Sequence, residues 1–459
     1  MKKPFLILFI VICCLNLVAQ QRTKAYMDSL AKVYEQHHIE NMKKRDFFVR
    51  KMKENPKGAM DSIVLAKKKE NKAWGLERLK QLSNNQRLDT LKEIDLSYAG
   101  LKEIPDFVYD AKNLKILVLD YNEISKLPRR LSELEHLKRI YWRSNNLGDL
   151  TRVKIRKIGS IEKLDLSYNT LTKLPRSLRK IDDMGELVLD ENLFEEVPIK
   201  RLSKADFVNS VSFNKCNQIE LGEGRYDKLS FLEVFKANKC LLKSIDPSFF
   251  EMKGLEELQL QENEIQSVPE GISKMSGLKK LSFYKNQLSS LPDDFFNIPN
   301  LEVIDLYFNK LEVISGDLGN FKNLKILYLS NNLIYSLPES LGKLGKLKEL
   351  YLHHNRLSVL PAEIKNLKKL RVLRVNENYL SDFPKEILNL NGLEQLDIST
   401  NQLTDIPLSL EELKNLKLFA YDDNNVDFHS ATGNEIVSMI LRISERGVIC
   451  TPRISLMGQ

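Results

Sequence analysis

Cysteine and tryptophan are nearly missing from this 459-residue chain, which holds five Cys and two Trp. Cys13 and Cys14 fall in an apolar leader, so only Cys216, Cys240 and Cys450 remain beyond it. Three is odd and sparse, which excludes a disulfide-dependent scaffold. Catalytic signatures are lacking too: the sequence contains no GxSxG, HExxH, P-loop or CxxC. His353-His354 invites a metal reading, but neighbours on a strand point to opposite sides and no carboxylate or thiol pattern completes a shell. Two surface histidines are expected there, with no metal and no cofactor. Asp95, Asp165, Asp305 and Asp397 stand in separate segments, too scattered for an acid/base pair. The chain therefore reads as a non-enzyme. After the leader no apolar run reaches spanning length, so no membrane span is expected in the mature chain.

The leader itself is informative. Lys2 and Lys3 precede an apolar run from Phe5 to Val18, broken only by Asn16, and Ala19 offers a cleavage point before Gln20. This pattern reads as a secretory signal peptide over residues 1–19. It predicts a secreted or periplasmic protein. The net charge of +8 is unevenly placed: residues 20–75 carry fourteen Lys and Arg against seven Asp and Glu. A head of that charge could attract an anionic surface or a nucleic acid, yet it has no stacked aromatics and no recognised motif. It is read as a solvated, basic helical N-terminal cap over 20–90, with no nucleic-acid partner. Tyr26, Leu30, Val33 and Tyr34 would form its apolar stripe.

From residue 91 the chain repeats. On the pattern LxxLxLxxNxL, the ninth position falls on Ala99, then on Asn122, Asn145, Asn169 and Asn192, then on Cys216 and Cys240, then on Asn263 and every following ninth position to Asn424. Eleven of the fourteen steps are 23 residues and three are 24, and twelve of the fifteen positions are Asn. Such regularity marks a repeat architecture. Apolar residues at positions four and six, such as Leu327 and Leu329, follow the two-residue period of a strand and point inward. A buried Asn at position nine can bond backbone groups where the chain turns. Pro then follows an apolar residue in ten repeats, as in Leu127-Pro128, Leu291-Pro292, Leu337-Pro338 and Leu360-Pro361. Fixed φ and a missing donor suit an extended segment leading into a short helical stretch. One repeat cannot bury its apolar edge alone, so stacked coils share a core and pair strands into a parallel sheet.

The run Leu324–Lys346 resembles the leucine-rich repeat family in its 23-residue LPxxLxxLxxL, Ras-suppressor-like subclass. The resemblance covers about residues 91–428, roughly fifteen repeats. It implies an α/β solenoid, with a concave parallel β-sheet, short helical or extended convex segments, and protein recognition through the concave side. All three 24-residue steps fall between Asn145 and Cys240, where repeat three has Leu150-Thr151 in place of the Pro pair and the sixth runs through Leu221-Gly222-Glu223-Gly224. Insertions there are either functional loops or drift in a tolerant loop. The pattern fails at His429, and residues 429–459 read as a C-terminal helical cap, with an amphipathic helix at 434–446 stopped by Gly447.

Positions three, five, seven and eight of each coil face solvent and line up in columns. In coils nine to thirteen these columns hold Tyr284, Tyr307, Phe308, Tyr328, Tyr351, His353 and Arg374, with His354 beside them. The core lies on the other side of the sheet, so this patch is the expected partner-binding site. Mutual stabilisation of tyrosines across strands is the alternative. A smaller patch combines Tyr98, Tyr121, Tyr141, Arg143 and Tyr168, while Trp142, at position six, points into the core. Cys216 and Cys240 occupy equal positions in consecutive coils, about 5 Å apart by the strand spacing. That separation fits a disulfide, while parallel side chains at a turn favour two free thiols. The functional expectation is an exported binding module for a protein ligand or a surface glycan. An intracellular signalling scaffold is the alternative if the N-terminus is not a signal.

Overall fold

The computed structural model describes residues 56–451, apart from 86, 127, 149–158, 175–180, 182 and 205–207. The signal-peptide reading, the stripe from Tyr26 to Tyr34, Leu127 and Leu150-Thr151 lie outside the described residues. Contacts divide the chain into two units, Met1–Trp74 and Gly75–Gln459. The second unit holds every described strand.

Sixteen strands form one sheet in strict chain order, each parallel to the next. They run from β1 (Glu93–Asp95) through β10 (Val303–Asp305), β11 (Ile326–Tyr328), β12 (Glu349–Tyr351), β13 (Val372–Arg374), β14 (Gln395–Asp397) and β15 (Leu418–Ala420) to β16 (Ile449–Thr451). Register advances by one repeat per strand: Ile304 pairs with Leu327, and Leu327 with Leu350. Most strands have three residues, but β4 (Ile161–Asp165), β5 (Met184–Val188) and β6 (Val208–Ser212) have five. The longer strands coincide with the irregular spacing, and Gly185 allows β5 to approach β4 closely, since a Cβ there would sit 2.6 Å from the Glu162 carbonyl oxygen.

Most described coils return through a short 3-10 helix, commonly one that follows a proline, as at Glu339–Lys343 after Pro338 and Ala362–Asn366 after Pro361. A 3-10 turn is tight enough to close the coil within 23 residues. Between sheet and turns runs one apolar core from Ile94 to Cys450. Phenylalanines thicken it in the middle coils, where Phe194, Phe213, Phe235 and Phe249 touch in sequence.

Position nine holds the coils together. Asn332 Oδ1 accepts from the Leu311 amide at 3.0 Å, and its Nδ2 donates to the carbonyls of Leu306 and Leu329 at 2.9 Å each. Asn309 and Asn355, one coil away, and Asn378, two coils away, repeat these bonds. Cys240 keeps only the donating half, through Sγ to the Phe213 carbonyl at 3.1 Å. Cys216 and Cys240 are separate buried thiols. Burial pushes both up to about 12, which leaves them protonated and unreactive.

One regularity was not foreseen from the sequence. Position eight adopts a left-handed backbone in all fifteen coils, from Tyr98 (φ 60°) to Asp423 (φ 53°), and no glycine occupies it. This conformation costs an ordinary residue roughly 1–2 kcal/mol. The strand pairing holds it in place, and the bend persists at Tyr98, Lys215 and Lys239, where Ala99, Cys216 and Cys240 stand in place of the Asn.

The ends are covered. The helix α1 (Pro56–Ser83) lays Gly75 against the first coil, where a Cβ would meet the Ser97 carbonyl oxygen at 2.5 Å. At the far end α3 (Ala431–Glu445) buries Ile436, Met439, Ile440 and Ile443, and Ser430 caps it through the Gly433 amide. A four-residue α2 (Ile199–Leu202) interrupts the middle coils. The sequence reading stopped at a helical cap and missed β16, because Ile449-Cys450-Thr451 carries none of the repeat pattern. That strand pairs with β15, Cys450 beside Phe419.

Candidate binding surface

The register of the sheet puts the position-five side chains in a row: Asp305, Tyr328, Tyr351, Arg374 and Asp397 sit on successive strands. Tyr328 and Tyr351 stack at 4.7 Å with their planes 18° apart. The Tyr351 hydroxyl donates to Glu349 at 2.8 Å, and Arg374 lies 5.8 Å from the Tyr351 ring. Arg374 Nη2 reaches Gln395 at 3.4 Å, whereas its Nε is buried without a partner among the described residues.

The neighbouring columns supply the rest. Tyr307 touches Tyr284 at 5.6 Å, Phe308 at 4.4 Å and His353 at 5.5 Å between ring centres. Ser330, small and buried, lets the His353 ring span two coils. Its Oγ shares a hydrogen bond with His353 Nδ1 at 2.8 Å, and Nε2 faces the Tyr307 hydroxyl at 3.5 Å. Phe308 is 42% exposed, while the other six are half-buried against one another. All seven residues thus stand on the solvent side of the sheet in adjacent columns, and the tyrosines also support each other as cross-strand pairs. His354 diverges outward and faces Glu377.

Burial and the nearby Arg374 charge lower the affinity of His353 for a proton. Its folded pKa therefore lies below the unfolded value, ~6.5. The unfolded chain binds the extra proton first as pH falls, so this contribution to stability is present above ~6.5 and lost on acidification. Urea midpoints measured from neutral to mildly acidic pH should fall more steeply in the wild type than in His353→Gln. Equal slopes would remove His353 from the titration.

Two features went unrecognised in the sequence. A chain of polar side chains leads into the patch across the middle coils. Asp190 accepts from Ser212 and Asn214, Asn214 from the Asn238 amide, and Asn238 from the Gln261 amide. Gln261 then donates to Ser282, and Ser282 to Asp305. The signal was present as uncharged amides and hydroxyls at positions five and seven of coils six to nine. The second is the role of the scattered aspartates: Asp95, Asp165 and Asp397 each bond the backbone and hydroxyl of the serine two residues on. They shape strand ends. Burial pushes the Asp305 carboxyl up, as it does those of Asp120 and Asp190.

In the smaller patch Tyr98 and Tyr121 stack at 4.4 Å and 5°. Arg143 Nε donates to Asp120 at 2.8 Å and the guanidinium lies 5.7 Å from the Tyr141 ring. Tyr168 stands half exposed farther along the same column. On the other side of coils four to six, an open cleft of about 1040 Å³ is lined by mixed charges, Lys200, Arg201 and Arg225 against Glu195, Glu196 and Glu223. Among the described residues no group of three or more His, Cys, Asp or Glu could hold a metal ion. No described helix is long and apolar enough to cross a membrane.

Comparison with known proteins agrees with this geometry. A family model for a leucine-rich repeat region matches residues 301–440, and one for a single leucine-rich repeat matches 160–181. A search of curated proteins finds no significant match. Among solved structures, a leucine-rich repeat protein of Leptospira interrogans is 25% identical, with a TM-score of 0.61 over 81% of this chain and 97% of that one. The plant peptide hormone receptor RGFR1, solved in complex with RGF2, is 27% identical, with a TM-score of 0.52 over 70% of this chain and 53% of the receptor. The Drosophila Toll–Spätzle complex shares the fold alone, at 22% identity and a TM-score of 0.58. The fold is a leucine-rich repeat solenoid with a parallel sheet on its concave side. The two sequence matches support membership of a leucine-rich repeat family.

Proposed function

We propose that this chain is an exported, non-catalytic binding module that recognises a protein ligand through the concave sheet. One observation carries the reading: Tyr284, Tyr307, Phe308, Tyr328, Tyr351, His353 and Arg374 gather on the face of the sheet that the core does not use. Aromatic residues and Arg are the side chains that dominate protein interfaces. Arg374 adds a buried Nε with an unmet donor, and an acceptor supplied by a partner would satisfy it. RGFR1, of similar architecture, was solved with its peptide hormone bound, which supports a protein ligand over a glycan.

The test is affinity capture by the wild type and by the triple variant Tyr307→Ala, Tyr328→Ala, Tyr351→Ala, from the secretome of the producing cells. The variant should bind the captured protein at least ~10-fold more weakly, since each hot-spot truncation costs more than about 1 kcal/mol. Its circular dichroism melt should move little. Undiminished capture by the variant would refute the patch. Capture of a glycan and of no protein would refute the ligand class.

A further inference from the structure

The flank where each 3-10 helix hands over to the next strand carries an uneven charge. In segments 318–326, 341–349 and 364–372, which are equivalent stretches of three consecutive coils, there are nine Lys and Arg and one carboxylate, Glu349. The matching segments at the other end of the solenoid, 85–93, 108–116 and 131–139, hold six cations and five carboxylates. The repeat architecture therefore does not require the imbalance.

The stacking makes it costly. Lys325, Lys348 and Arg371 each stand directly before a strand, and those strands pair as neighbours in register. Equal positions in adjacent strands are about 4.8 Å apart, and like charges opposite one another destabilise a sheet. Elsewhere along the same column cations meet carboxylates: Lys279 on Glu256 at 2.6 Å, and Lys417 on Glu394 at 2.7 Å. Within the patch, among the described residues, only its two edges pair with a carboxylate, Lys325 with Glu302 and Arg371 with Glu394. Lys346, Lys348 and Lys369 between them are exposed and meet no carboxylate among the described residues.

We infer that this flank adheres to a membrane surface rich in anionic phospholipid headgroups. Three observations select that occupant. Eight of the nine cations are lysines, point charges suited to diffuse attraction rather than to the bidentate grip that arginine gives. Glu302 and Glu394 close the column at both ends. A linear polyanion would meet a carboxylate after about 14 Å, whereas a headgroup surface needs only a compact area. No large exposed apolar side chain lies in the three segments, so contact is electrostatic and without insertion. The flank is distinct from the concave face, which remains free for its ligand.

The test is co-sedimentation of the full chain with phosphatidylcholine vesicles, with and without phosphatidylglycerol. Binding should require phosphatidylglycerol and vanish at ~1 M salt, where the Debye length shrinks to about 3 Å. The variant Lys346→Glu, Lys348→Glu, Lys369→Glu should partition roughly 100-fold more weakly, from about fivefold per lysine lost. Reversal of three exposed lysines elsewhere, Lys102, Lys112 and Lys243, makes the same change in net charge and should retain most of the binding. Equal losses in both variants, no loss in the first, or no binding to phosphatidylglycerol vesicles would each overturn the inference. Retention on heparin without vesicle binding would overturn the lipid assignment. Since the concave tyrosines are untouched, capture of a protein ligand by the lysine variant reports on the earlier reading separately.

Discussion

Asn332→Ala is expected to destabilise the solenoid by about 2–4 kcal/mol, from the penalty for an unmet buried donor plus lost hydrogen bonds. The side chain serves both its own coil and the one before. The carbonyls of Leu306 and Leu329 keep a second partner, Asn309 and Asn355 respectively. The Leu311 amide loses the bond to Oδ1 at 3.0 Å and gains no replacement. Asn332 is itself 5% exposed, so water cannot take its place without a local rearrangement. The measurement is the urea midpoint with its slope. A midpoint shift at unchanged slope reports a stability loss in a two-state unit. A shift under ~0.5 kcal/mol would mean that the coil relaxes around the gap and that the bonding described here is ornamental.

Trp142→Ala should cost about 3–5 kcal/mol, the range for emptying a large buried aromatic site. Trp142 is fully buried in the third coil, and its Nε1 has no hydrogen-bond partner among the described residues. Trp142→Phe separates the two effects. It leaves a smaller void and also removes an orphaned donor whose burial costs about 1–3 kcal/mol. The terms offset, and the phenylalanine variant should lie within ~1.5 kcal/mol of the wild type. Thermal or urea unfolding of both variants checks the order. A phenylalanine variant as weak as the alanine one would place an unrecognised bond on the indole.

Positions four, six and nine were readable because periodicity alone fixes them. A two-residue alternation points Leu327 and Leu329 inward, and an amide every 23 residues must serve backbone. The columns of the concave face followed from the same arithmetic, so the seven patch residues could be named before their contacts were visible. What periodicity does not encode was missed. The left-handed position eight has no residue signature, since Tyr, Ser, Glu, Lys, Phe and His all occupy it. The polar chain from Asp190 to Asp305 depends on side-chain reach between coils. In the irregular coils the sequence suggested loops, whereas strands β4 to β6 begin two residues earlier than in the regular coils. The five-residue strands absorb part of the irregularity that spacing alone would assign to a loop.

The left-handed bend at position eight has a consequence for how such a surface changes. Its shape is dictated by the main chain and persists where Ala99, Cys216 or Cys240 follows, so the bend demands no particular side chain. In this chain nine different amino acids already fill that rim. Recognition can therefore be rewritten one coil at a time, by exchange of rim side chains, with the scaffold beneath left as it stands.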